Sequence, residues 1–173
     1  GKTTTPADLV KDLPGDNEAK AETIDNNLQH EIVKKMSSNP VYYGKLSEML
    51  KKIIMQRKVA AMSYQEYLKQ VVEMAEAILH PEDNGDYPDE VKNSAARRAL
   101  FDYFEEDLEL TVDVDGAIRI AIRPAWKKNR QKQQKIRLAI YEKLLLHSYS
   151  KDKAEEETNQ VFDIAQRQEE YDA

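Results

Sequence analysis

Ile24, Leu28, Ile32 and Met36 stand four residues apart, and this spacing constrains the chain more than any other feature. Side chains three or four positions apart share one face of an α-helix, whereas a strand puts alternate residues on one face. The rhythm returns in Leu46, Met49, Leu50, Ile53 and Ile54, a stripe that leaves Lys51, Lys52 and Arg57 facing water. It returns again, more broadly, in Tyr64, Tyr67, Leu68, Val71, Val72, Ala75 and Ile78. Stripes of this kind need covering by neighbouring helices. With 5 Gly and 6 Pro in 173 residues, little interrupts them, and the 40% of hydrophobic residues can supply a modest core. The expected fold is all-α, an irregular bundle of about seven helices.

Start and stop signals place the elements. Thr3-Thr4-Thr5-Pro6 and Pro14-Gly15-Asp16 mark residues 1–17 as a linker from upstream domains or the edge of an excised segment, and the missing initiator Met agrees with excision. Residues 18–173 form the expected helical domain, with its first helix over 18–36. Asn39 before Pro40 is an N-cap followed by a residue suited to the first helical position. Ser63 and Glu66 make a capping box for a helix over 63–79. Further helices are expected over 89–104, with Ala95, Ala96, Ala99, Leu100 and Tyr103 inward, then over 129–147 and 153–170.

Residues 108–123 carry two signals. Val112, Val114, Ile118, Ile120 and Ile122 alternate around Asp115-Gly116, which on local grounds favours a short hairpin near 110–122. Val114, Ala117, Ile118, Ala121 and Ile122 instead fit a helix, at a cost of about 1 kcal/mol for Gly116.

Catalytic and metal patterns are sparse. There is no Cys, which excludes disulfides and thiolate metal sites and suits a reducing cytoplasm. His30, His80 and His147 stand fifty or more residues apart, so only tertiary convergence could give them a joint role. In Pro88-Asp89-Glu90-Val91-Lys92 the acids are adjacent, whereas a Mg²⁺ nuclease needs them on separate segments. At a helix start they favour the helix dipole instead. Gly1-Lys2-Thr3 mimics the end of a P-loop without the preceding glycine-rich turn. Glu82-Asp83-Asn84-Gly85-Asp86 lacks the ligand spacing of a calcium loop and reads as a solvated acidic turn. No apolar run approaches the roughly 18 residues a membrane span needs, so no membrane partner is expected. Nor is there a signal peptide pattern.

Charge distribution says more than the net value of -6. Arg123, Lys127, Lys128, Arg130, Lys132, Lys135 and Arg137 follow one another with no acid between them. Such a segment can contact phosphate backbone or an acidic partner. It can equally be a solvated helix face, or one paired with acids around Glu105, Glu106 and Asp107. Trp126 beside it can stack on a base or pin the loop to the core.

The order of several longer strings resembles a known family. Glu22-Thr23-Ile24-Asp25-Asn26-Asn27 is followed by Asn39-Pro40-Val41-Tyr42-Tyr43-Gly44-Lys45-Leu46-Ser47-Glu48-Met49-Leu50, then Tyr64-Gln65-Glu66-Tyr67-Leu68 and Arg98-Ala99-Leu100-Phe101-Asp102. Trp126-Lys127-Lys128-Asn129, Lys135-Ile136-Arg137-Leu138-Ala139-Ile140 and Gln168-Glu169-Glu170-Tyr171 complete the series. Together they resemble the C-terminal helical region of the R subunits of type I restriction enzymes, with a departure at Lys127-Lys128 where relatives carry Arg-Gly.

The resemblance implies a helix over the ambiguous stretch before Trp126. It also implies that this segment is non-catalytic and cofactor-free. The parent subunit would be an ATP-dependent, Mg²⁺-requiring site-specific deoxyribonuclease and translocase of the bacterial or archaeal cytoplasm, with its motor and nuclease upstream. The C-terminal domain would dock that motor onto the methyltransferase and specificity subunits. The alternative is a DNA-contacting module that guides the translocating duplex through residues 123–137.

Overall fold

The structure, a computed structural model, describes residues 3–10 and 14–173. Gly1-Lys2, which carries most of the P-loop mimic, lies outside them. The described residues are all-helical, with ten α-helices, seven of them nine residues or longer. No helix among the described residues is long and apolar enough to cross a membrane. The chain groups into two compact units, Gly1–Met36 with Pro40–Asp86 and Ser37–Asn39 with Tyr87–Ala173.

The first unit packs α1 (Pro6–Val10), α2 (Asn17–Lys35), α3 (Pro40–Lys58) and α4 (Tyr64–Leu79), with the short α5 (Pro81–Asn84) after them. Part of the expected linker is therefore helical, and Leu9 of α1 is buried with Ile24, Leu28 and Ile32. Asp16 caps α2 by accepting from the Ala19 N–H at 2.8 Å. Ser63 caps α4 by accepting from the Glu66 N–H at 3.1 Å, the hydroxyl half of the capping box, and the Glu66 carboxylate accepts from Gln70. The apolar stripes are buried at Leu46, Leu50, Ile53, Tyr67, Val71, Ala75 and Ile78. Met49 and Val72 lie at the edge of their stripes and remain 52% and 43% exposed.

Arg57 corrects the sequence reading, for it is buried and not in water. Its guanidinium bonds Asp25 and Glu18 of α2, each at 2.6 Å, and lies 5.2 Å from the Tyr67 ring centre. The Tyr67 hydroxyl donates to Asp25. Burial, and then the carboxylate it donates to, push the Tyr67 phenol well above its ordinary range.

The second unit contains α6 (Asp89–Lys92), α7 (Ala95–Tyr103), α8 (Leu108–Ala121), α9 (Arg130–Leu146) and α10 (Lys151–Gln166), closed by a 3-10 turn at Glu169–Tyr171. The single helix expected over 89–104 is broken at Asn93-Ser94. There the Ser94 hydroxyl accepts from the Arg97 N–H at 3.1 Å and starts α7 afresh. Ala96, Ala99 and Leu100 point inward as expected, whereas Ala95 is exposed.

Helix wins over hairpin at residues 108–121. Asp107 caps α8 through the Leu110 N–H, and Leu110, Val114 and Ile118 are buried at helical spacing while Ile120 is 78% exposed. Asp115 supplies the physical reason. Its carboxylate lies 3.0 Å from Arg119 Nε, a contact that needs the four-residue helical step. Asn129 and Ser150 cap α9 and α10.

Candidate functional site

The basic segment begins where α8 ends. Arg123 donates to the Ile120 and Ile122 carbonyls at 2.8 and 2.7 Å, satisfying groups a helix terminus leaves open. Trp126 is buried against Phe162, and its indole N–H donates to the Tyr171 carbonyl at 2.7 Å. It pins the loop to the core and presents no face to a base. Lys127 pairs with Asp172 and donates to the Gln168 carbonyl at 2.9 Å, while Lys132 Nζ reaches the Pro124 carbonyl at 2.5 Å. Arg137 donates to Asn159 at 2.6 Å, with its guanidinium carbon 4.0 Å from the Phe162 ring centre.

Lys128, Arg130 and Lys135 are exposed. The acids around 105–107 do not neutralise this face. Asp107 caps α8, Glu105 and Glu106 occupy the left-handed turn after α7, and among the described residues the segment's ion pair is Lys127 with Asp172.

Sequence contiguity made these seven cations one group, and the fold sorts them. Lys127, Lys128, Arg130 and Arg137 line an open groove of about 690 Å³ together with Gln133, Gln134 and Asn159. Arg123, Lys132 and Lys135 do not line it. Asn159 comes from α10, a contribution that no run of charge could have signalled. An adjoining hollow of about 490 Å³ is shared by Gln134, Arg137 and Asn159 with Leu138, Tyr141, Glu155 and Thr158. The Thr158 hydroxyl is buried, with no hydrogen-bond partner among the described residues.

The 3-10 turn after α10 is fixed by a buried polar hub. Asp115, fully buried, accepts from Arg97 Nε at 2.8 Å, from Arg119 and from the Tyr171 hydroxyl at 2.6 Å. Glu170 accepts from Ser94 Oγ at 2.7 Å, the Ala96 N–H at 3.0 Å and Arg119 at 2.9 Å. Burial alone would raise the Asp115 pKa, but the hydrogen bonds from Arg119, Tyr171 and Arg97 hold it below the ordinary carboxylate value. Sequence reasoning missed this hub because Asp115 sits in the Asp-Gly pair that imitates a turn.

The first unit offers a different surface. Between α3 and α4 runs a groove of about 420 Å³ floored by Leu46, Met49, Ile53, Met74 and Ala77. Lys52 and Gln56 line its α3 side, and Glu66, Lys69, Gln70 and Glu73 its α4 side. The histidines do not converge. His30 is exposed on α2, His80 faces Glu82 at 3.3 Å, and His147 contacts Asp113 at 2.8 Å. His80, Glu82 and Asp83 bring ligand atoms within 4.8 Å of one another on one surface turn. Asp89 and Glu90 occupy the first turn of α6, as their adjacency suggests.

No protein-family model matches the chain, and neither the curated proteins nor the solved structures contain a match to it.

Proposed function

We propose that this chain is the non-catalytic C-terminal docking module of a type I restriction R subunit. In this reading it holds an ATP-dependent DNA translocase and endonuclease on the methyltransferase and specificity subunits, in a bacterial or archaeal cytoplasm. ATP and Mg²⁺ serve the upstream motor, and the family reading rests on the ordered strings quoted from the sequence.

The observation that favours docking is the α3/α4 groove. An open apolar floor between two helices is the form that accepts an amphipathic partner helix. Met49 and Met74 are unbranched and adapt to an incoming surface. The lips differ in charge, with Lys52 on the α3 side and two acids against one Lys on the α4 side, so a partner helix acidic on one flank and basic on the other fits one way round. Titrating the chain into the methyltransferase and specificity complex by calorimetry tests this. Met49→Lys puts a charge into the floor at a half-exposed position, so association should weaken at least tenfold while the helical spectrum stays unchanged. Association unaffected by the substitution would remove the groove as the docking surface, and no association of the unaltered chain would sink the docking reading.

A second reading, a DNA-contacting module that guides the translocating duplex, is favoured by the α9 groove.

A further inference from the structure

The cations of residues 123–137 are not equivalent once their internal bonds are counted. Arg123 and Lys132 are bonded to backbone carbonyls, and Lys127 is paired with Asp172. Arg137 bonds Asn159 and lies over the Phe162 ring, and among the described residues it forms no ion pair, so its charge is not cancelled. Lys128 and Arg130 are exposed beside it in the same groove. Three uncancelled charges therefore share one groove with three amide side chains.

Their placement works against the fold. Lys128 and Arg130 precede and open α9, whose first turn holds no acid, so they meet the positive end of the helix dipole and one another. An anion seated there would relieve both repulsions.

The lining chooses between kinds of anion. No apolar residue lines the larger groove, whereas protein interfaces are built around an apolar core. Contacts to a nucleic-acid backbone are polar and cationic. Trp126 and Phe162 are both buried, so the groove has no aromatic platform of the kind that holds single strands. We propose that the groove between the start of α9 and α10 binds the phosphate backbone of duplex DNA through Lys128, Arg130 and Arg137, without reading base sequence. This rests on the DNA-contacting reading and is independent of the docking one.

Three neutralised phosphates give a slope of log affinity against log salt of roughly -2.7, or about a forty-fold loss between 50 and 200 mM salt. The test uses the 173-residue chain and fluorescently labelled duplexes of two unrelated sequences, read by anisotropy across that salt range. K128Q/R130Q should reduce the slope by roughly 2 and the affinity by roughly sixty-fold at 0.1 M salt, equally for both sequences. K34Q/K58Q, which removes the same charge from exposed positions of the first unit, should leave both nearly unchanged. Both pairs are exposed, so helical content should be retained in each variant.

No salt-dependent duplex binding by the unaltered chain would end the DNA-contacting reading itself. Binding that K128Q/R130Q leaves intact, or that both pairs weaken alike, would keep DNA contact but overturn this groove as its site. Tighter binding of a labelled polyglutamate or of a single strand than of duplex, lost in K128Q/R130Q, would overturn the assignment to duplex.

Discussion

Gly116→Ala separates the two conformations that residues 108–121 encode. In α8 the position is helical with an unremarkable φ, and a Cβ built there meets nothing within 4 Å. The added methyl neither clashes nor gains contacts, so the change isolates backbone propensity and the freedom lost by the unfolded chain. Gly is about 0.8–1 kcal/mol worse than Ala inside a helix, so the substitution should stabilise by about that amount.

Gly44, inside α3, has the same open surroundings and serves as a replicate in the first unit. If the whole chain melts in one transition, each alanine should raise Tm by roughly 2–4 °C. If the units melt separately, each should raise only its own transition, by roughly 4–8 °C. Circular dichroism at 222 nm, by heat and by urea, measures both. In a hairpin the Asp115-Gly116 turn would hold Gly116 at positive φ, where Ala is strained, and the sign would reverse. A lower midpoint for Gly116→Ala beside a higher one for Gly44→Ala would refute the helical reading of this segment.

The buried hubs carry further predictions. Asp115→Asn should cost about 3–5 kcal/mol in urea unfolding at neutral pH, because Arg97 and Arg119 lose their shared carboxylate. The folded-state pKa values of Asp115 and Glu170 lie below their ordinary ones, so their stabilisation is full above the ordinary carboxylate range, begins to fall there and is lost as pH falls through the lowered folded-state values. The gap between parent and Asp115→Asn should therefore narrow below about pH 4, and a gap that widens there would contradict the hub. Arg57→Ala should destabilise by about 3–5 kcal/mol, and adding Asp25→Asn should recover part of that by removing the stranded charge. Additive losses in the double variant would refute the pairing. Arg123→Gln should cost about 0.5–1 kcal/mol through the α8 terminus while leaving duplex binding unchanged, as anisotropy would show.

Local rules made most of the helices legible. Four-residue apolar steps specified α2, and Ser63 and Asn129 marked helix starts that the structure keeps. The break between α6 and α7 was harder to read, because the alanines after Ser94 continue a helical pattern and only the cap hydroxyl reveals the restart. The buried state of Arg57 could not be read locally at all. Its acceptors Asp25 and Glu18 lie 32 and 39 residues away, and on its own helix it stands between Gln56 and Lys58. The basic segment was visible as composition, but its division into bonded and unbonded cations depends on carbonyls and on Asn159, which only the fold brings near.

The two units solve their polar burial in the same way. In each, an aspartate accepts from a tyrosine hydroxyl and from an arginine that lies 5.2 Å from that tyrosine's ring centre, as Asp25, Tyr67 and Arg57 in one and Asp115, Tyr171 and Arg119 in the other. An aspartate with both partners present is satisfied inside the core, and the arrangement fixes the register of the helices that carry it. It also ties up Arg57 inside the core and pairs the exposed Arg119 with Asp115 and Glu170. The charges left to face a partner are those with no internal acid, and at the α9 groove these are Lys128, Arg130 and Arg137. Lys128 and Arg130 persist at the unfavourable end of a helix dipole, where no acid of the first turn offsets them. An anion from outside the chain would offset that cost, and stability should accordingly rise when duplex is added to the parent but not to K128Q/R130Q.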